Sequence, residues 1–117
     1  MFGRFKHWLE ARRQRERNKA LVARLIEHGV NPSQPRKIEC HFWLKAEPQA
    51  RALAQILRAR GFEILRTNVS AGDSALWNLE AAISQSPNHT AEVSFIQDIV
   101  RLAKECGGVY DGWGTQV

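Results

Sequence analysis

Apolar and polar positions alternate strictly from Lys37 to Lys45, with Ile38, Cys40, Phe42 and Leu44 against Glu39, His41, Trp43 and Lys45. A period of two over nine residues predicts a half-buried strand with one apolar face. Two further strands read the same way. Phe62 to Asn68 sets Phe62 and Ile64 against Glu63 and Leu65, and Ala75 to Ile83 lines up Trp77, Leu79, Ala81 and Ile83. Between the first two strands, Glu47 to Arg60 changes period: Ala50, Leu53, Ala54 and Leu57 form a helical stripe, Pro48 fits the first turn and Gly61 ends the helix. Thr90 to Cys106 repeats that spacing with Phe95, Ile99, Leu102 and Cys106 beside Ile96, Val100 and Ala103. Thr90 is the expected N-cap and Gly107 the stop. Ser70 to Ser74 and Ser84 to Asn88 carry turn chemistry. The last stretch, Gly107 to Val117, sets Tyr110, Asp111 and Trp113 among glycines and predicts a closely specified final strand.

Ahead of these elements, Phe2 to His28 contains no proline, has Gly3 near its start, and is followed by Gly29 and Pro32, which predicts one long helix. Its apolar residues fall into two groups, Phe2, Phe5, Trp8 and Leu9, then Leu21, Val22, Leu25 and Ile26, around a polar middle from Arg12 to Lys19. The second group can dock on a domain, and the first needs a partner, a membrane surface or another copy of the chain. The expected organisation is therefore a basic amphipathic N-terminal helix (1–30), a short linker (31–36) with Pro32 and Pro35, and a folded domain (37–117).

In that domain the order βαββαβ is that of the α+β, ferredoxin-like sandwich, a four-stranded antiparallel sheet backed by two helices with the first and third strands central. With the apolar strand faces turned to the helices, His41, Trp43, Asn78 and Glu80 are expected on the opposite, open face. That face is either covered by the N-terminal helix or a second copy, or it is where a partner docks.

Composition narrows the function classes. At 117 residues, 44% apolar and 25% charged, the chain fits one globular domain able to bury a core without metal or disulfide. It shows no apolar run of membrane-spanning length and no N-terminal export signal, so no integral membrane association and a cytoplasmic location are expected. Cys40 and Cys106 then read as reduced core residues, and no spacing suggests a metal site or cofactor. Charge is segregated: residues 1–37 hold ten Lys or Arg against three Glu, a net of +7, while the remainder holds seven basic and nine acidic groups, a net of −2. Arg12, Arg13, Arg15, Arg17 and Lys19 are candidate phosphate-binding residues in the basic third.

Catalytic groups are scarce. Of four histidines only His41 neighbours a thiol, and on an alternating strand Cys40 points to the other face. Glu80 and Asp111 read as solvated or hydrogen-bonded carboxylates, Asp111 as an acceptor of backbone N–H groups in a turn that holds Trp113. No enzyme is expected. RNA-recognition modules share the strand order and use aromatic residues on the open face. Their basic and aromatic third-strand signature is missing from Ala75 to Ile83, where Glu80 would repel phosphate.

An amphipathic helix running into Tyr110-Asp111-Gly112-Trp113-Gly114-Thr115 resembles the most distinctive segment of the regulator of ribonuclease activity B (RraB) family, bacterial inhibitors of ribonuclease E. The likeness extends from Lys19 to Thr115, through Leu25-Ile26-Glu27-His28-Gly29 before Asn31-Pro32 and through Ile38, Glu39 and His41 of the first strand. It implies a cytoplasmic, non-enzymatic protein of ferredoxin-like fold that binds and modulates a ribonuclease E-like nuclease. The expected contact surface is the open face (His41, Trp43, Asn78, Glu80) together with Tyr110, Asp111 and Trp113. Characterised inhibitors of the family are acidic, with an acidic tail beyond this motif, whereas this chain has a net charge of +5 and a basic N-terminal stretch. The alternative reading is a module whose basic helix binds RNA or an acidic membrane surface, or that forms a homodimer through that helix.

Overall fold

The alternating run that begins at Lys37 becomes the centre of the sheet. The structure, a computed structural model, describes residues 2–69 and 76–117, with side chains from residue 12 onward. In it, β1 (Arg36–Leu44) lies between β3 (Trp77–Gln85) and β4 (Gly108–Gly114), and β2 (Glu63–Val69) pairs with the outer side of β3. All three pairings are antiparallel, giving the order β2-β3-β1-β4 with the first and third strands central, as the ferredoxin-like reading requires. The turn expected at Ser70 to Ser74 lies outside the described residues.

One face of this sheet is apolar because register couples the alternation of neighbouring strands. Ile38 pairs with Ile83, Cys40 with Ala81, Phe42 with Leu79 and Leu44 with Trp77. Paired residues share a face. Ile38, Cys40, Phe42 and Leu44 are all fully buried under α2 (Glu47–Ala59) and α4 (Val93–Glu105), whose stripes Ala50, Leu53, Ala54, Leu57 and Ile96, Ile99, Val100, Ala103 are buried in turn. Each large side chain so buried contributes about 1.5–3 kcal/mol. At the end of α2 the Phe62 N–H donates to the Leu57 carbonyl and the Gly61 N–H to that of Arg58, both at 3.0 Å. This closure turns Phe62 back into the core beside the helix it leaves.

Thr90 is not the cap of the long C-terminal helix. Ser86 caps a single turn, α3 (Pro87–Thr90), by accepting the His89 N–H at 3.1 Å. Thr90 ends that turn fully buried, its hydroxyl donating to the Ser86 carbonyl at 2.9 Å and accepting from the Gln85 amide at 2.8 Å. α4 begins only at Val93, with Glu92 in the cap position. Pro87 allows the early turn because its missing N–H is unneeded there.

The N-terminal helix, α1 (Phe2–Glu27), leaves the open face uncovered. It packs beside α4 in the helix layer, with Leu25 in the core and Leu21 and Val22 against it, while Ile26 is 53% exposed. Its polar middle is not wholly in solvent: Gln14 and Asn18 are buried. Both are used on β4, and they lead into the site.

Candidate functional site

The YDGWGT segment owes its geometry to one extra residue. Cys40 pairs with Trp113 and His41 with Gly112, but Phe42 pairs with Tyr110, so the register slips between His41 and Phe42 and Asp111 bulges out of β4. Tyr110 and Trp113, three apart, would occupy opposite faces of a regular strand. The bulge puts both on the helix side. Gly112 has φ of +105°, a conformation costly for any residue with a Cβ, and it is the position that lets the strand resume after the bulge. At Gly108 the reason is space: a Cβ would stand 2.1 Å from the Leu44 side chain.

The expectation that Tyr110 and Trp113 join the contact surface is thereby corrected, since both are buried in the core. Tyr110 lies 5.3 Å from Phe42 between ring centres. Its hydroxyl is buried beside the Cys40 thiol without a hydrogen-bond partner. Burial pushes the Cys40 thiol up to about 12 and the Tyr110 phenol well above its usual range, so neither supplies a thiolate or phenolate. Trp113 donates its indole N–H to Asn18 Oδ1 at 2.9 Å. Nearby, the Gln14 side-chain amide donates to the Tyr110 carbonyl at 3.0 Å and Arg17 reaches the Asp111 carbonyl at 3.4 Å. The buried polar stripe of α1 thus holds the bulged strand.

Asp111 alone of the three motif residues serves the open face. Its Oδ2 accepts the indole N–H of Trp43 at 3.2 Å, where backbone N–H donors in a turn holding Trp113 were expected. The carboxylate orients the half-buried Trp43 of the open face instead of the buried Trp113.

Beyond the Lys37–Ser84 pair at one end, the register lays out three rows across the open face. Gly114, Glu39, Ala82 and Glu63 make the first, with Ala82 buried between the two carboxylates. Gly112, His41, Glu80 and Arg66 make the second, and His41 Nδ1 stands 3.5 Å from Glu80 Oε1. Val109, Trp43, Asn78 and Asn68 make the third, with Val109 46% exposed and Trp43 half-buried. The sum is an apolar spot of Trp43 and Val109, fixed by Asp111, beside four carboxylates (Glu39, Glu63, Glu80, Asp111) that share the face with two cations, Arg66 and Lys37. Such a surface repels phosphate and suits a partner with basic side chains.

All four open-strand residues expected here, His41, Trp43, Asn78 and Glu80, come together. Sequence reasoning missed Val109, Glu39, Glu63 and Arg66 as members. Their signal was the alternation itself, carried through to the neighbouring strands. The basic candidates are elsewhere, on α1: Arg12, Arg13, Arg15, Arg17 and Lys19 are exposed, with Arg12 3.8 Å from Glu16 and Arg17 occupied at Asp111. Cys40 and His41 point to opposite faces of β1, as their adjacency requires. Among the described residues no group of three His, Cys, Asp or Glu side chains could hold a metal ion, and no described helix is long and apolar enough to cross a membrane.

Known proteins are similar to this sequence over nearly its whole length. A family model described as "Regulator of ribonuclease activity B" matches residues 15–115. The chain is similar to two curated proteins bearing that same name. With the one from Aeromonas salmonicida (strain A449) it shares 29% identity over 109 residues, covering 92% of this chain and 95% of the relative. With the one from Pseudoalteromonas translucida (strain TAC 125) it shares 25% over 103 residues, covering 86% and 93%.

Proposed function

From the premise that this chain belongs to the RraB family, the regulators of ribonuclease activity B, we propose that it regulates a ribonuclease of the ribonuclease E type by binding it, without chemistry of its own. The open sheet face is the binding surface, with Trp43 as its anchor and the surrounding carboxylates as its charge selectivity. One observation carries this reading: Trp43 stays at the surface of a central strand, and Asp111, a residue of the most distinctive motif in the chain, holds its indole in place. A surface tryptophan with its rotamer fixed contributes contact area at low entropic cost, which is the character of a binding hot spot. Its described residues bring no nucleophile beside a base of the kind that catalysis needs.

The partner segment is basic, because four carboxylates with only Arg66 and Lys37 among them favour cations. In a cleavage assay with purified ribonuclease E, the full chain should slow cleavage in proportion to binding, and Trp43→Ala should remove the effect while leaving the thermal unfolding midpoint near that of the parent. If saturating full chain leaves cleavage unchanged, the regulatory reading toward that nuclease is wrong. If Trp43→Ala inhibits as well as the parent, the surface is misplaced.

A further inference from the structure

A basic segment of the kind that the open sheet face favours exists within the chain itself. Residues 12–27 of α1 carry six Lys or Arg against Glu16 and Glu27, a net of +4, and all eight are exposed. The domain grips this helix through Gln14, Asn18, Leu21, Val22 and Leu25, which at about 100° per residue form one stripe. Arg15, Lys19 and Ile26 fall outside that stripe, within a sector of about 40°. All three are exposed, Ile26 at 53%. Because α1 packs beside α4 in the helix layer, this sector is turned away from the chain's own open face, which lies across the sheet.

The two surfaces match in charge and in spacing. The open face sets Trp43 and Val109 in one row, Glu80 in the next and Glu39 with Glu63 in the third, and its four carboxylates outnumber Arg66 and Lys37. Trp43 and Glu39 are four residues apart on β1, about 13 Å. Along α1, Ile26 stands about 10 Å from Lys19 and about 16 Å from Arg15. Ile26 set on Trp43 and Val109 therefore carries Lys19 and Arg15 over Glu80, Glu39 and Glu63. An RNA or an anionic lipid would meet the cations of α1 and leave the acidic sheet unmatched, whereas a second copy matches both surfaces in one contact. We propose that the exposed face of α1 docks on the open sheet face of a second copy of this chain. Helix and sheet face lie on different sides of each molecule, so the contact is head-to-tail and grows with concentration instead of stopping at a closed pair. It covers Trp43, so self-association and the nuclease compete for one surface, a consequence that rests on the binding role proposed above for that face.

Sedimentation equilibrium of the full chain tests this. At about 0.05 M salt the mean mass should rise with concentration above the 13.3 kDa of one chain, and at about 0.5 M salt it should fall back toward it. Arg15→Glu with Lys19→Glu, and separately Glu39→Lys with Glu63→Lys, should each weaken association at least about tenfold. An equal mixture of the two should recover it, because a reversed helix then meets a reversed face. The unfolding midpoint checks that each variant remains folded, and Ile26→Asp, at an exposed helix position, gives a second reading should the strand pair fail to fold. A parent that is monomeric at every concentration in low salt overturns the proposal, and binding of that monomer to RNA or to phosphatidylglycerol vesicles places a polyanion on α1 instead. Association that the folded variants retain, or a mixture no more associated than its parts, also overturns it. Association is read without nuclease, so it stands or falls whether or not the chain slows cleavage. Where the chain does both, Arg15→Glu with Lys19→Glu should inhibit at a lower total concentration than the parent, and equal potency refutes the competition alone.

Discussion

Trp43 and Trp113 sit on neighbouring strands and each gives its indole N–H to a side-chain oxygen, yet they do opposite work. Trp113 faces the helices, 7% exposed, and is held by the neutral amide of Asn18 from α1. Trp43 faces away, half-buried, and is held by the charged carboxylate of Asp111. The acceptors suit their surroundings: burying an unpaired carboxylate would cost several kcal/mol, so the core uses an amide and the surface can use an anion. What separates the two rings is the face of the sheet, and a single bulged residue decides it for one of them. An aromatic residue beside a motif is therefore not evidence of a contact site until its face is known.

The sharpest way to break the comparison is to truncate the buried ring. Trp113→Ala should destabilise folding by about 3–5 kcal/mol, measured by urea denaturation, through lost burial and the cavity left behind. Trp43→Ala should instead cost less than about 1 kcal/mol in the same assay and weaken nuclease binding by about 2 kcal/mol or more, roughly thirtyfold in Kd by titration. A variant pair in which both rings cost the same stability would dissolve the distinction.

Their tethers should differ in the same direction. Asn18→Ala leaves the Trp113 N–H buried without its partner and should cost about 1–3 kcal/mol of stability. Asp111→Ala frees a half-buried indole on the open face, so its effect belongs to binding, with a smaller change in the unfolding midpoint. Equal loss of stability in the two would mean that Trp43 is structurally buried after all.

The two faces should also part with rising pH. On the helix side, burial holds the Cys40 thiol at about 12 against an ordinary 9.0, and Tyr110 is raised as well. Unfolded chains lose these protons first, so stability is full below about pH 9 and declines above it, by on the order of 1 kcal/mol per pH unit for Cys40. Urea midpoints taken between pH 7 and pH 11 should show the fall, and Cys40→Ala should make it shallower. A flat profile would mean that the thiol is more hydrated than its burial indicates.

The pattern of the chain alone determined the order of the longer strands and helices, the core faces of β1, β3, α2 and α4, and four members of the open face. Period two and period 3.6 are local properties, and Gly61 and Gly107 end their helices wherever the rest of the chain lies. The family was legible too, because YDGWGT is contiguous. Tertiary structure decided what adjacency cannot encode. A bulge shifts register only relative to a partner strand, so the burial of Tyr110 and Trp113 followed from pairing with Phe42 and Cys40. Gln14 and Asn18 look like surface residues of a polar helix until β4 supplies the backbone carbonyl and indole they bind, 96 and 95 residues away. Hydrogen-bonding capacity is written in the residue type, but the partner that makes its burial favourable exists only once distant segments meet.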